Sequence, residues 1–137
     1  MPYFADAHEL YDVMGTFLAE ITQQPDMRPK FTSADTSFVV RYHDPEAAIL
    51  VDCTTDPPRV VNDPPADTAA EINLGMSADD GHRFWCGKLN MALALAKKQV
   101  QVSGPMSKMM KLLPAMRPAF SQYEEYLKAR GCGDKLV

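Results

Sequence analysis

A chain of 137 residues that is 46% hydrophobic, 23% charged and 9% aromatic holds enough material for one globular core, which excludes a disordered, collagen-like or coiled-coil chain. The net charge of −4 conceals a split: residues 1–82 carry 4 Lys/Arg against 15 Asp/Glu, net −11, while residues 83–137 carry 10 against 3, net +7. No acid lies between Arg83 and Arg117, a pattern that predicts one basic face meeting an anionic partner.

Cys53, Cys86 and Cys132 are odd in number and lack CxxC spacing, so neither a disulfide framework nor a four-ligand zinc site is expected. Asp6, Glu9 and Asp12 stand where a secretion signal would be basic and then apolar, and no apolar run approaches the ~20 residues of a membrane span. The expectation is a single cytoplasmic domain over residues 1–137, with its core at about 8–130.

In chain order, Leu10, Val13, Met14, Phe17, Leu18 and Ile21 form the apolar stripe of an amphipathic helix. Asp6 with Glu9 fits a capping box and Pro25 ends the run, which predicts a helix over 7–23. Residues 25–36, with Pro25, Pro29, Ser33 and Asp35, read as a loop. The period then falls to two. Phe38, Val40 and Tyr42 alternate with Val39, Arg41 and His43; Asp44-Pro45-Glu46 makes a turn, and 48–53 returns as a second strand. A short third strand is expected over 59–62 and a fourth over 67–76, with Thr68, Ala70, Ile72, Leu74 and Met76 on one face. These four strands predict an antiparallel meander with one wet face.

Ser77 before Asp79 and Asp80 marks a helix start, with Gly87 as its end. Residues 89–97 are apolar nearly all round, through Met91, Leu93 and Leu95, and predict a buried helix. Residues 99–103 alternate as a late fifth strand. Gly104-Pro105 opens a methionine-rich helix over 106–113 that Pro114 is expected to break, and Pro118 starts a last helix ending at Gly131.

A catalytic constellation is hard to assemble. His8, His43 and His82 share no ligand spacing. His43 beside Asp44, with Cys53 on the paired strand, offers a minor reading as a small lipid-modifying enzyme; a turn histidine and a buried cysteine are the plainer reading. Asp79 and Asp80 are explained by the helix dipole, so no metal is expected. Lys88, Lys97, Lys98, Lys108, Lys111 and Arg117 lie among Met and Leu rather than aromatic residues, which argues against nucleic acid. Met106, Met109, Met110 and Met116, with Leu112 and Leu113, fit two readings: core filling, or a surface that touches a ligand or a lipid membrane.

The order of elements, with the stretch 66–104, resembles the sterol carrier protein-2-like, nonspecific lipid-transfer domains. The resemblance rests on an Ala-Asp opening into an alternating strand, Ser77-Ala78-Asp79-Asp80 after it, Gly87-Lys88-Leu89-Asn90, Ala94, and Val100-x-Val102-x-Gly104. The family often has glycine just before the late strand, where this chain has Lys98. The resemblance implies an α+β fold: a five-stranded, mostly antiparallel sheet covered on one face by helices that enclose an apolar tunnel. It also implies a non-catalytic carrier of sterol, fatty acid, fatty acyl-CoA or phospholipid, with no cofactor.

Period and position then suggest Leu74, Met76, Phe84, Trp85, Leu89, Leu93, Met106, Met109, Met110 and Phe120 as lining, with Lys88, Lys108 and Lys111 at the rim. Expected partners are a lipid or fatty acyl ligand and a transient anionic membrane surface, the chain being a monomer or homodimer. An alternative makes it a partner or dimerisation module that uses the same apolar groove.

Overall fold

The computed structural model describes residues 3–136. Five strands form one sheet in the order β3-β2-β1-β4-β5. They are β1 (Ser37–His43), β2 (Ala47–Asp52), β3 (Arg59–Asn62), β4 (Ile72–Ser77) and β5 (Gln101–Ser103). β1, β2 and β3 make an antiparallel meander, and β4 pairs antiparallel with β5. The sheet is therefore mostly antiparallel, as the family resemblance implies.

The expected four-strand meander is corrected at β4, which pairs with β1 in parallel, Phe38 beside Ile72, Val40 beside Leu74 and Tyr42 beside Met76. A parallel neighbour requires the chain to cross the sheet between β3 and β4. Residues 63–71 make that crossing, so 67–71 are not strand despite their alternation. The Arg41 guanidinium donates to the carbonyls of Ala66 (3.2 Å) and Thr68 (3.4 Å), which lays the connection over the face opposite Phe38. Val39, on the same face as Arg41, is fully buried.

The first helix begins with α1 (Ala7–Leu10), where the Asp6 carboxylate accepts from the Glu9 N–H, and passes through a π-helical stretch, Tyr11–Gly15, into α2 (Thr16–Ile21). The Tyr126 hydroxyl donates to the Val13 carbonyl at 2.6 Å inside the π stretch, tying this helix to the last one. The loop expected over 25–36 contains a short helix, α3 (Arg28–Thr32). Pro29 sits in its first turn, where a missing N–H does no harm, and the fully buried Phe31 anchors it.

α4 (Ala78–Trp85) starts on Ser77, whose hydroxyl accepts from the Asp80 N–H. α5 (Met91–Ala96) is short and peripheral; only Ala94 is fully buried, and Leu93 is 49% exposed. The prediction of a buried helix over 89–97 is thus corrected, because one side of an apolar helix suffices to attach it at the edge of the layer. Lys98 adopts φ +62°, so the left-handed turn before the late strand is kept without glycine.

The largest correction is at the C-terminus. Residues expected as two helices form one, α6 (Met106–Ala129), through both Pro114 and Pro118. Both prolines are exposed, while Met109, Leu112, Met116, Ala119, Tyr123 and Leu127 recur at three or four residues on the buried side. The missing N–H groups fall on the solvent side, and packing of the buried stripe holds the helix together.

Between α4 and α6 lies a fully buried histidine. The His82 Nε2 contacts the Lys135 carbonyl at 2.6 Å; a carbonyl only accepts, so Nε2 carries the hydrogen and Nδ1 accepts from the Tyr123 hydroxyl at 2.8 Å. Tyr3 and Phe4 pack on the same ring, so both ends of the chain meet there. Burial lowers the His82 pKa from its ordinary value, opposed by the Lys135 carbonyl and Asp79 and assisted by the charges of Lys135 and Arg83.

An unfolded histidine takes its proton near pH ~6.5, above the folded value, so the unfolded state binds more protons and gains as pH falls. Thermal stability is expected to hold above that pH and to decline below it, and His82→Gln should flatten the decline, as read by melting temperature against pH. At Gly104, φ is +125° and a Cβ would collide with the Glu71 carbonyl oxygen. Gly104→Ala is expected to cost about 3 kcal/mol, measured by denaturant unfolding.

Candidate functional site

The inner face of the sheet and the helices above it enclose an apolar pocket. β1 contributes Phe38, Val40 and Tyr42, β2 contributes Ile49 and Val51, and β4 contributes Ile72, Leu74 and Met76. Alternation puts all eight side chains on one face, and the β1–β2 and β1–β4 registers bring them side by side. The helices close the space with Leu18 from α2, Gly81, Phe84 and Trp85 from α4, Met91 from α5, and Met109, Leu112, Leu113 and Met116 from α6. Gly81 permits the approach of α4, since a Cβ there would lie 2.5 Å from the Tyr42 ring.

Only Tyr42 and Trp85 bring nitrogen or oxygen side-chain atoms to this wall. The Tyr42 hydroxyl donates to the Met14 sulfur at 3.2 Å, and burial pushes its pKa up, so it stays a neutral phenol. Among the described residues no buried side-chain nitrogen or oxygen lacks a partner. The wall therefore offers shape and dispersion contacts, with no polar group waiting for a ligand.

The open space measures about 40 Å³ for the centres of water-sized spheres. A single water needs about 10–15 Å³ in that measure, so the pocket has room for a few waters and no open tunnel.

Of the lining expected from the sequence, Leu74, Met76, Phe84, Trp85 and Met109 face this pocket. Phe120 stands behind it, edge-on to Phe84 at 5.3 Å and to Trp85 at 6.4 Å. Leu89 is half-buried against the core outside the pocket wall. Leu93, Met106 and Met110 are exposed and are corrected: α5 buries only Ala94, and α6 turns Met109, Leu112 and Met116 inward with Met106 and Met110 at the flank of its first turns. Phe38, Val40, Tyr42, Ile49 and Val51 were missed as lining; the alternation of the β1 residues was legible, but the continuous apolar run of β2 does not single out Ile49 and Val51. Which side of those strands the helices cover was not legible either.

The rim differs from expectation as well. Lys88 and Lys111 are exposed, while Lys108 is engaged: its Nζ lies 3.0 Å from Glu71 Oε1 and donates to the Asp35 carbonyl at 3.3 Å. The Thr36 hydroxyl first, and then Lys108, hold the Glu71 carboxyl below its ordinary pKa. This cluster pins the first turns of α6 to the start of β4.

The residues of the minor enzymatic reading do not meet. His43 and Asp44, 2.8 Å apart, lie where β1 ends, whereas Cys53 lies beyond Asp52, which pairs with Ser37 at the opposite end of the ribbon. Burial, with the Asp52 charge adding to it, pushes the Cys53 thiol up to about 12, so it is not a thiolate near neutral pH. Asp79 accepts from the Tyr3 N–H, and Asp80 pairs with Arg83 at 3.0 Å. No cluster among the described residues has the make-up of a metal site.

No family model matches the chain, and no curated protein matches it. Solved structures do. The sterol carrier protein domain 2 of Helicoverpa armigera aligns with TM-score 0.64 and 16% identity, over 77% of this chain and 87% of its own. Sterol carrier protein 2 of Yarrowia lipolytica, in its apo form, aligns with TM-score 0.61 and 18% identity, over 82% and 91%. Sterol carrier protein-2 of Aedes aegypti, solved as a complex with the C16 fatty acid palmitate, aligns with TM-score 0.54 and 20% identity, over 81% and 94%. These alignments cover most of both chains, and the likeness is one of fold: this chain has the sterol carrier protein-2-like fold.

Proposed function

We propose that the chain is a lipid carrier that takes a long-chain fatty acid or fatty acyl ester into the pocket between sheet and helices. The observation that carries this reading is the wall itself, assembled from three strands and four helices and almost free of polar atoms. The Aedes aegypti structure of the same fold holds palmitate, which supports the same ligand class here. A wall of this kind rewards burial of methylene groups and has no means to polarise a bond, so the reading is binding and transfer without catalysis. The free cysteines fit a reducing cytoplasm, and no helix among the described residues is long and apolar enough to cross a membrane.

The size of the pocket selects within the lipid class. At about 40 Å³ it must widen to admit any ligand. Met91, Met109 and Met116 are unbranched and can swing aside one at a time. A slender acyl chain threads between side chains that move singly, whereas a rigid sterol or a two-chain phospholipid needs whole helices displaced. Burial of each methylene is worth about 0.8 kcal/mol, so a 16-carbon chain gains on the order of 12 kcal/mol gross. Ordering the chain and reopening the packed wall offset a large part of that, leaving roughly micromolar affinity.

Extraction of the purified protein followed by mass spectrometry is expected to release fatty acids, and palmitate is expected to displace a fluorescent fatty acid. Leu113 is half-buried on the pocket wall, so Leu113→Glu puts a carboxylate beside the ligand with little demand on the core. It should weaken binding tenfold or more while the circular dichroism spectrum stays unchanged. A lipid-free extract together with no displacement of the probe overturns the reading.

A further inference from the structure

Three large apolar side chains are exposed among the described residues: Leu93 at 49%, Met106 at 48% and Met110 at 59%. Leu93 lies on α5, and Met106 and Met110 lie four residues apart on one side of α6, in its first turns. These are the two helices whose Met91, Met109 and Leu112 close the pocket.

The cations near them share a property that most others lack. Arg28, Arg59, Arg83, Lys108, Lys128, Arg130 and Lys135 each stand within ion-pair distance of a carboxylate. Lys88, Lys97 and Lys98, at the two ends of α5, and Lys111 and Arg117 on α6 have no such partner among the described residues, and all five are exposed. No acidic residue occurs between Arg83 and Arg117 to neutralise them. Of the remaining cations without a carboxylate, Arg41 is bound to the carbonyls of Ala66 and Thr68, and Lys30 lies apart on α3.

We propose that the outer face of α5 and the first half of α6 docks on an anionic phospholipid bilayer, with Leu93, Met106 and Met110 entering the interface and the five unpaired cations meeting phosphate and carboxylate head groups. The proposal rests on the lipid-carrier reading for its purpose, and names the surface at which ligand is exchanged. Flexible aliphatic side chains ringed by unscreened positive charge have the make-up of an interfacial contact. Nucleic acid fits less well, since stacking requires aromatic residues and the exposed apolar ones are Leu and Met. A second copy fits less well too, because a two-fold contact would set the same five cations against each other. Docking through these helices holds the membrane against the lid of the pocket, so ligand need not cross water.

The test uses the full chain and sedimentation with vesicles, of phosphatidylcholine alone or of phosphatidylcholine with phosphatidylserine. Binding is expected only with phosphatidylserine and should be lost at 1 M salt, where the screening length is ~3 Å. Each cation near such a surface contributes about fivefold, so Lys97→Glu with Lys98→Glu should lower partitioning at least about 25-fold. Leu93→Ser with Met110→Ser should lower it about tenfold. All four positions lie outside the pocket wall, so palmitate binding in vesicle-free solution should be unchanged in both variants, which also reports that they fold.

Equal binding to both vesicle types, no binding to either, or full binding by the charge-reversed variant overturns the docking proposal, and leaves an acidic protein as the class of partner to pursue. Failure is separable. Palmitate binding without vesicle binding sinks docking alone, and vesicle binding without palmitate binding sinks the carrier reading while the docking surface stands.

Discussion

Phe38, Val40 and Tyr42 on β1, Ile49 and Val51 on β2, and Ile72, Leu74 and Met76 on β4 form one continuous apolar area that has to leave water. The parallel pairing of β4 with β1 makes it continuous, by bringing Ile72, Leu74 and Met76 level with the β1 residues. Four helices, α2, α4, α5 and α6, cover that area. α2 supplies Leu18 and α4 closes on Tyr42 through Gly81, while α6 runs straight through two prolines because its buried stripe is held along its length. A helical layer on a twisted sheet does not fill the space between them completely, and the remainder is the pocket.

That remainder is lined by side chains chosen for compliance rather than for a fixed shape. Five methionine or leucine side chains from α5 and α6 form the movable part of the wall, opposite the stiff β-branched and aromatic residues of the strands. Small empty volume and flexible lining belong together: the empty state packs closely, and an entering chain displaces side chains instead of breaking hydrogen bonds. The fixed points lie elsewhere. The His82–Tyr123–Lys135 cluster fastens both chain ends to α4 and α6, and the Thr36–Glu71–Lys108 cluster fastens the start of α6 to the sheet. Between these two anchors, α6 faces the pocket with the apolar side chains of Met109, Leu112, Leu113 and Met116.

Charge follows the same division. Cations on the parts that hold the fold together are mostly matched with carboxylates, as Arg130 is with Asp12 at 2.9 Å and Lys135 with Glu9 at 3.5 Å. Cations flanking α5 and on the first half of α6, Lys108 apart, are left unmatched among the described residues. An exposed ion pair contributes little to stability, so the matching says less about how the fold is held than about which surface stays free to attract something else.

The alternation of Phe38, Val40 and Tyr42, the strand at Arg59–Asn62, the Ser77 cap and the charge split were legible in the sequence, because each depends on neighbours within a few residues. With the family resemblance these sufficed for the fold and for five residues of the pocket wall, Leu74, Met76, Phe84, Trp85 and Met109. What failed had a common cause. Thr68 and Ala70 alternate like a strand, but Arg41 claims that stretch as a crossover; Pro114 and Pro118 look like breaks, but the buried side of α6 outweighs them; Met110 and Leu93 were expected to line the pocket, but are exposed on their helices. Local pattern determines whether a segment has an apolar side and what kind of element carries it. Only tertiary packing decides which partner that side meets, since the burial that settles the choice is contributed by residues tens of positions away.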